Sequence, residues 1–264
     1  MPGASNVKFA SILSLLLVSL SLPIADAAAG TFTSKTVTVG VRKNMEATLY
    51  TPDGPGPFPS ILVMHTSGGI SEADRGYCAN LAREGYICIA PAFLRAHGIT
   101  SPELRRKAFT SDAQAIAMDF VQIIGELNAL PQARKGAVGA VGFSNGGYFA
   151  AMLAARQQVK AAVSYYGAFN GAGTQNDLKP MQERFTSASA PFLILAGESD
   201  MTIGMRPVRR MEEILKACGA RYQLKLYPDA GHDFDRSGST GPGNAAAAAD
   251  AWQRTLAFLR ANGV

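Results

Sequence analysis

Six short apolar runs recur along this chain, and most give way to a stretch with helical spacing. They are Ser60–His65 (SILVMH), Tyr86–Ala90 (YICIA), Gly136–Phe143 (GAVGAVGF), Val159–Tyr165, Pro191–Ala196 (PFLILA) and Tyr222–Tyr227. Runs this short, bounded by glycine and proline, suit strands buried on both faces of a sheet. Between them, Ser71–Arg83, Pro102–Leu127 (its first part open to being a loop), Gly146–Arg156 and Arg206–Cys218 predict helices, and Ala245–Ala261 predicts a last one. Strands alternating with helices require a mostly parallel sheet covered on both faces. Upstream, Thr31–Gly40 and Met45–Tyr50 alternate as a hairpin would and add an antiparallel edge. The expectation is one α/β domain with a sheet of about eight strands.

The start of the chain reads as an address rather than as fold. Lys8 gives a thin positive region, Phe9 to Leu22 is apolar apart from serines, and Pro23 breaks the run before small residues at Ala25–Ala29. These are the marks of a secretory signal peptide, taken as residues 1–27. The alternative is an uncleaved membrane anchor, but the run falls short of the about 20 apolar residues a span needs. The domain is then residues 28–264, periplasmic or secreted. Export implies an oxidising compartment. The sequence has three cysteines. Cys78 and Cys88 could meet if a helix lies beside the next strand, but three buried free thiols are the favoured expectation.

The net charge is +5, and the charges are scattered. With no lysine or arginine block, neither nucleic acid nor a membrane surface is an expected partner. Three dispersed histidines and no His/Cys/Asp cluster imply no metal and no other cofactor.

Gly142-Phe143-Ser144-Asn145-Gly146-Gly147 lies between an apolar strand and an alanine-rich helix. This is a G-x-S-x-G turn. A tight strand-to-helix turn strains the serine, glycines relieve the clash, and the hydroxyl stands at the carboxyl end of the strand. A serine hydroxyl needs a base. His232 follows the last strand, which brings it to the same sheet edge. His65 is expected to support its own loop, and His97 to be solvated. Asp200, just after the Pro191–Ala196 strand, would fix the tautomer of His232. Glu198 competes for that role, and Asp233 is expected to point elsewhere. The N–H of Asn145 and one from the loop after SILVMH would face the oxyanion, with Ser67 chosen and Thr66 next.

From about residue 35 to the C-terminus the chain resembles the dienelactone hydrolase family. GAVGAVGFSNGG, VSYYG, PFLILAGESD and YPDAGHDFDR carry the resemblance, in that order. It implies an α/β-hydrolase fold without a large cap domain, and hydrolysis of small esters and lactones. Two departures agree with one another: the founding members use cysteine where this chain has Ser144, and their glutamate near the thiol falls at Thr66. The resemblance also implies two arginines that hold a substrate carboxylate, Arg236 and, by a less secure register, Arg105, with Arg106 beside it.

The reading is a serine hydrolase of small carboxylic esters or lactones, carboxylate-bearing ones included, acting as a monomer through Ser144, His232 and Asp200. An acetyl-carbohydrate esterase or small peptidase could use the same three residues. A binding module that kept the fold and lost the chemistry is the rival of another class.

Overall fold

Side-chain alternation along the strands sorts the core into two faces. The computed structural model describes residue 1 and residues 30–170, 184–236 and 244–264. The strands are β1 (Phe32–Val39), β2 (Met45–Pro52), β3 (Phe58–Met64), β4 (Ile87–Pro91), β5 (Ala133–Phe143), β6 (Ala162–Tyr165), β7 (Phe192–Gly197) and β8 (Tyr222–Tyr227). They form one sheet in the order β1-β2-β4-β3-β5-β6-β7-β8. β2 pairs antiparallel with β1 and β4, and every other pairing is parallel.

Successive residues of a strand point to opposite sides. Thus Leu62 and Met64 of β3 join one cluster, whereas Ile61 and Val63 join the other. Phe192 and Ile194 of β7 separate from Leu193 and Leu195 in the same way. Helices α3 (Ala113–Ala129), α4 (Asn145–Ala155) and α5 (Met205–Ala217) cover the first face. Helices α1 (Glu72–Arg83) and α6 (Asn244–Ala261) cover the second. A short α2 (Phe93–Ala96) follows β4. This is the α/β-hydrolase arrangement expected from the sequence, and among the described residues no inserted domain stands over the sheet.

One predicted helix is two elements. The Pro102–Leu127 segment begins as a 3-10 helix, Pro102–Phe109, and restarts as α3 beyond Asp112. Thr110, Ser111 and Asp112 interrupt it, because short polar side chains compete for the backbone groups a helix needs. Ser111 Oγ donates to Asp112 Oδ1 at 2.8 Å, and Thr110 Oγ1 donates to the Arg106 carbonyl at 3.0 Å.

The free-thiol expectation is corrected. Cys78 of α1 and Cys88 of β4 form a disulfide, with Cα atoms 5.3 Å apart. Helix α1 packs directly on β4, so the two chain directions bring the pair together. Cys218 alone among the described cysteines is free. The bridge closes a loop with a sequence separation of 10. Loop-closure entropy predicts that Cys78→Ala/Cys88→Ala loses roughly 2–3 kcal/mol of stability. Urea unfolding with and without reductant measures this, and thiol titration of denatured, unreduced protein should return the Cys218 thiol alone. Residues 1–27 of the signal-peptide reading, apart from residue 1, lie outside the described residues.

Candidate active site

Parallel strands leave their carboxyl ends on one edge, and that edge collects the candidate residues. Ser144 follows β5, Asp200 follows β7, His232 follows β8, and the Thr66–Gly69 loop follows β3.

The Ser144 turn is as tight as the motif implied. Its backbone lies at φ 52° and ψ −108°, in the left-handed half that side chains disfavour. Three backbone hydrogen bonds hold it there. Its N–H donates to the Tyr165 carbonyl at 3.0 Å, and its own carbonyl accepts from Gly147 and Ala168 at 2.9 Å each. Two glycines permit the close passage. A Cβ on Gly142 would overlap the Gly146 carbonyl, and one on Gly146 would overlap the Met64 carbonyl.

His232 joins Ser144 to Asp200. Its Nε2 is 3.2 Å from Ser144 Oγ, and its Nδ1 is 2.8 Å from Asp200 Oδ2. The other carboxylate oxygen, Asp200 Oδ1, accepts the N–H groups of Thr202 and Ile203 at 2.8 and 2.9 Å. Burial pushes the Asp200 carboxyl up, but the hydrogen bonds from His232, Ile203 and Thr202 outweigh it and leave it below its ordinary range. An ionised acceptor at Nδ1 puts the imidazole proton there and leaves the Nε2 lone pair on the serine. Glu198 is exposed and turns toward Arg209 at 3.6 Å. Asp233 Oδ1 approaches His232 Nε2 no closer than 3.9 Å.

Asn145 opens α4 next to Ser144, so its N–H is one of the first-turn donors for which the helix itself supplies no acceptor. The Ser67 N–H is aimed indirectly. His65 Nδ1 lies 2.7 Å from the Thr66 carbonyl, which also accepts from Gly69 N–H at 3.2 Å. In a planar trans peptide the N–H points opposite to the C=O. Fixing the Thr66 carbonyl therefore fixes the direction of the Ser67 N–H. The His65 ring stacks on Phe93 at 4.0 Å, and burial lowers its pKa to about 4, so it stays neutral. His97 departs from expectation. It is only partly exposed and it is paired: its Nε2 is 2.7 Å from Asp119 Oδ2, and Asp119 Oδ1 accepts the Val41 N–H at 2.6 Å.

The two arginines separate. Arg105, not Arg106, lines a cavity of about 410 Å³ beside the Thr66–Gly69 loop, together with His65, Ser67, Arg75 and Arg95. Arg236 sits behind the His232 loop and is not part of that lining. Its Nη2, Nη1 and Nε donate to Asp74 Oδ1 at 2.8 Å, Ser71 Oγ at 3.1 Å and the Tyr166 hydroxyl at 3.1 Å. Asp74 and Tyr166 escaped the sequence reading. The only trace of the first is Ser71-x-x-Asp74, a helix-start signal that says nothing about a distant arginine. Among the described residues no group of three or more His, Cys, Asp or Glu side chains is arranged to hold a metal.

The dienelactone hydrolase family model matches residues 45–263. The chain is 32% identical over 215 residues to the "Putative carboxymethylenebutenolidase" of Escherichia coli (strain K12), covering 79% of each. It is 27% identical over 214 residues to the carboxymethylenebutenolidase of Rhodococcus opacus, covering 80% of this chain and 84% of that one. Among solved structures, a "Putative Dienelactone Hydrolase" from Klebsiella pneumoniae superposes with a TM-score of 0.76 at 26% identity, over 87% of this chain and 99% of the other. With the sheet order, the strained turn and a match across most of its length, the chain belongs to the dienelactone hydrolase family.

Proposed function

We propose that the chain is a serine hydrolase of small carboxylic esters or lactones. The observation that carries this reading is the hydrogen-bonded line from Asp200 through His232 to a strained Ser144. Ser144 Oγ attacks the ester carbonyl while its proton passes to His232 Nε2, and the imidazolium is stabilised by Asp200. The carbonyl oxygen becomes an oxyanion facing the N–H groups of Asn145 and Ser67. As the tetrahedral intermediate collapses, the C–O bond to the alcohol breaks and His232 returns its proton to that oxygen. Water then attacks the acyl-serine, giving up a proton to the same base. The acid leaves and Ser144 regains its hydrogen.

The cavity borders Ser67 on the proposed oxyanion loop, while Ser144 and His232 lie outside its lining. Arg105 on its wall supports acceptance of a carboxylate-bearing substrate, because a guanidinium matches a carboxylate in paired hydrogen bonds. No step calls for a metal or cofactor. The Cys78–Cys88 bridge and the apolar N-terminal run together support export to the periplasm or the outside.

A fluorophosphonate probe tests the reading, since it reacts with an activated serine. Labelling of Ser144 in folded protein, with turnover of p-nitrophenyl esters, is the expected result. Folded protein that neither takes the label nor turns over any ester or lactone would leave the binding-module alternative standing.

A further inference from the structure

The loop that carries His232 is tied down on its far side by a buried charge pair. On the near side, Gly231 N–H donates to Asn244 Oδ1 at 3.0 Å, and the Ala230 carbonyl accepts from Ser199 at 3.0 Å. Beyond His232 the ties are made by side chains. Phe234 is buried, the Tyr166 hydroxyl donates to Asp235 Oδ1 at 2.6 Å, and Arg236 reaches α1.

Arg236 reaches a prepared acceptor. Asp74 is fully buried at the first turn of α1, where its Oδ2 accepts the N–H and Oγ–H of Ser71 at 2.8 and 2.6 Å. Its Oδ1 is left for Arg236. The guanidinium also lies 4.7 Å over the ring of Phe143, the residue before Ser144. Tyr166, held by Arg236 and Asp235, sets its ring 4.7 Å from that of His232. The guanidinium thus touches structure leading to both the nucleophile and the base. All three of its nitrogens have acceptors inside the protein. A buried ion pair is seldom the most stable filling for its volume, since desolvation offsets the attraction. What it supplies is geometry: a planar fork accepts few arrangements.

We infer that Arg236 is a positioning residue whose pairing with Asp74 clamps the His232 loop onto α1, rather than a binder of the substrate's charge. The inference rests on the reading of His232 as the base. The clamp keeps Nε2 on Ser144 while leaving any anionic part of the substrate to the Arg105 side.

Arg236→Ala and Asp74→Asn, alone and combined, test it on two esters of equal size, one neutral and one bearing a carboxylate. A clamp predicts a fall in kcat of about 10²-fold on both esters, as a misplaced catalytic group would cause. KM should change less than about threefold, and the double variant should be no worse than either single one. Asp74 touches no substrate in either view, which makes its variant decisive. A substrate-binding Arg236 predicts a KM rise for the acidic ester alone in Arg236→Ala, and unchanged kcat in Asp74→Asn. Either result overturns the inference. If Arg236→Ala does not fold, Arg236→Lys keeps the charge without the fork and should show the same kcat loss; full activity there overturns the clamp. The low-field Nδ1 proton resonance of His232 reads the geometry without turnover. It should be sharp in the wild-type protein and broadened or shifted in Asp74→Asn, and an unchanged signal overturns the clamp. Wild-type protein that hydrolyses nothing would instead sink the hydrolase reading, and the resonance would still judge the clamp.

Discussion

Ser144→Ala is expected to lower kcat/KM on a good p-nitrophenyl ester by about 10⁴- to 10⁶-fold while the protein stays folded. The hydroxyl oxygen is the only heavy atom lost, and the line from Asp200 to His232 ends on it. The backbone around it is held by Tyr165, Gly147 and Ala168 whatever the side chain. A residual rate above that in water should survive, because the N–H groups of Asn145 and Ser67 proposed for the oxyanion do not depend on the Ser144 side chain. Stability should move the other way at this position. At φ 52° alanine keeps the strain of serine, whereas Ser144→Gly relieves it and should gain about 1 kcal/mol with equal loss of activity. Steady-state kinetics and urea unfolding of the two variants measure both effects. Activity within tenfold of wild type in Ser144→Ala would remove Ser144 as the nucleophile.

The strained Ser144 turn was legible because its signal is local. A strand, a glycine-flanked serine and a helix occur within a dozen or so residues, and sterics leave such a stretch few conformations. Asp200 and His232 reach Ser144 for a similar reason, as polar residues in the loops that follow apolar strands. The alternation of strands and helices gave the sheet for a similar reason, since period and length are properties of short windows. What failed depended on who meets whom. Asp74 and Arg236 are separated by 162 positions, and no local pattern marks a buried partner across that span. His97 sits in a polar stretch, and only the packing of α3 brings Asp119 to its ring. The disulfide needed the exact stagger of α1 on β4, which helix and strand periods alone do not set. The same limit applies to the arginines. Arg105 and Arg236 share a chemistry, but the fold gives one a cavity wall and the other an internal carboxylate.

Asp200→Asn is expected to lower kcat by about 10⁴-fold with little change in fold, and the reason lies in its second oxygen. Oδ1 accepts the N–H groups of Thr202 and Ile203, so an asparagine must keep its carbonyl there. Its NH₂ then stands where Oδ2 was, facing His232 Nδ1. A donor at that place requires Nδ1 to accept, which moves the imidazole proton to Nε2. The base then presents a proton to Ser144 instead of a lone pair, in nearly unchanged geometry. Acid behaviour should change too. In the wild type the Asp200 carboxyl is held below its ordinary range, so in the pH window between the two values the unfolded chain binds more protons than the native one. Its contribution to stability is present above the unfolded value and is lost as pH falls through the folded one. Asparagine does not titrate, so the fall of urea midpoint with acid should be shallower in the variant. Rates measured at several pH values alongside those midpoints decide the matter. A variant that keeps wild-type kcat near neutral pH would show that Asp200 does not set the tautomer of His232, and Glu198 would return as the candidate.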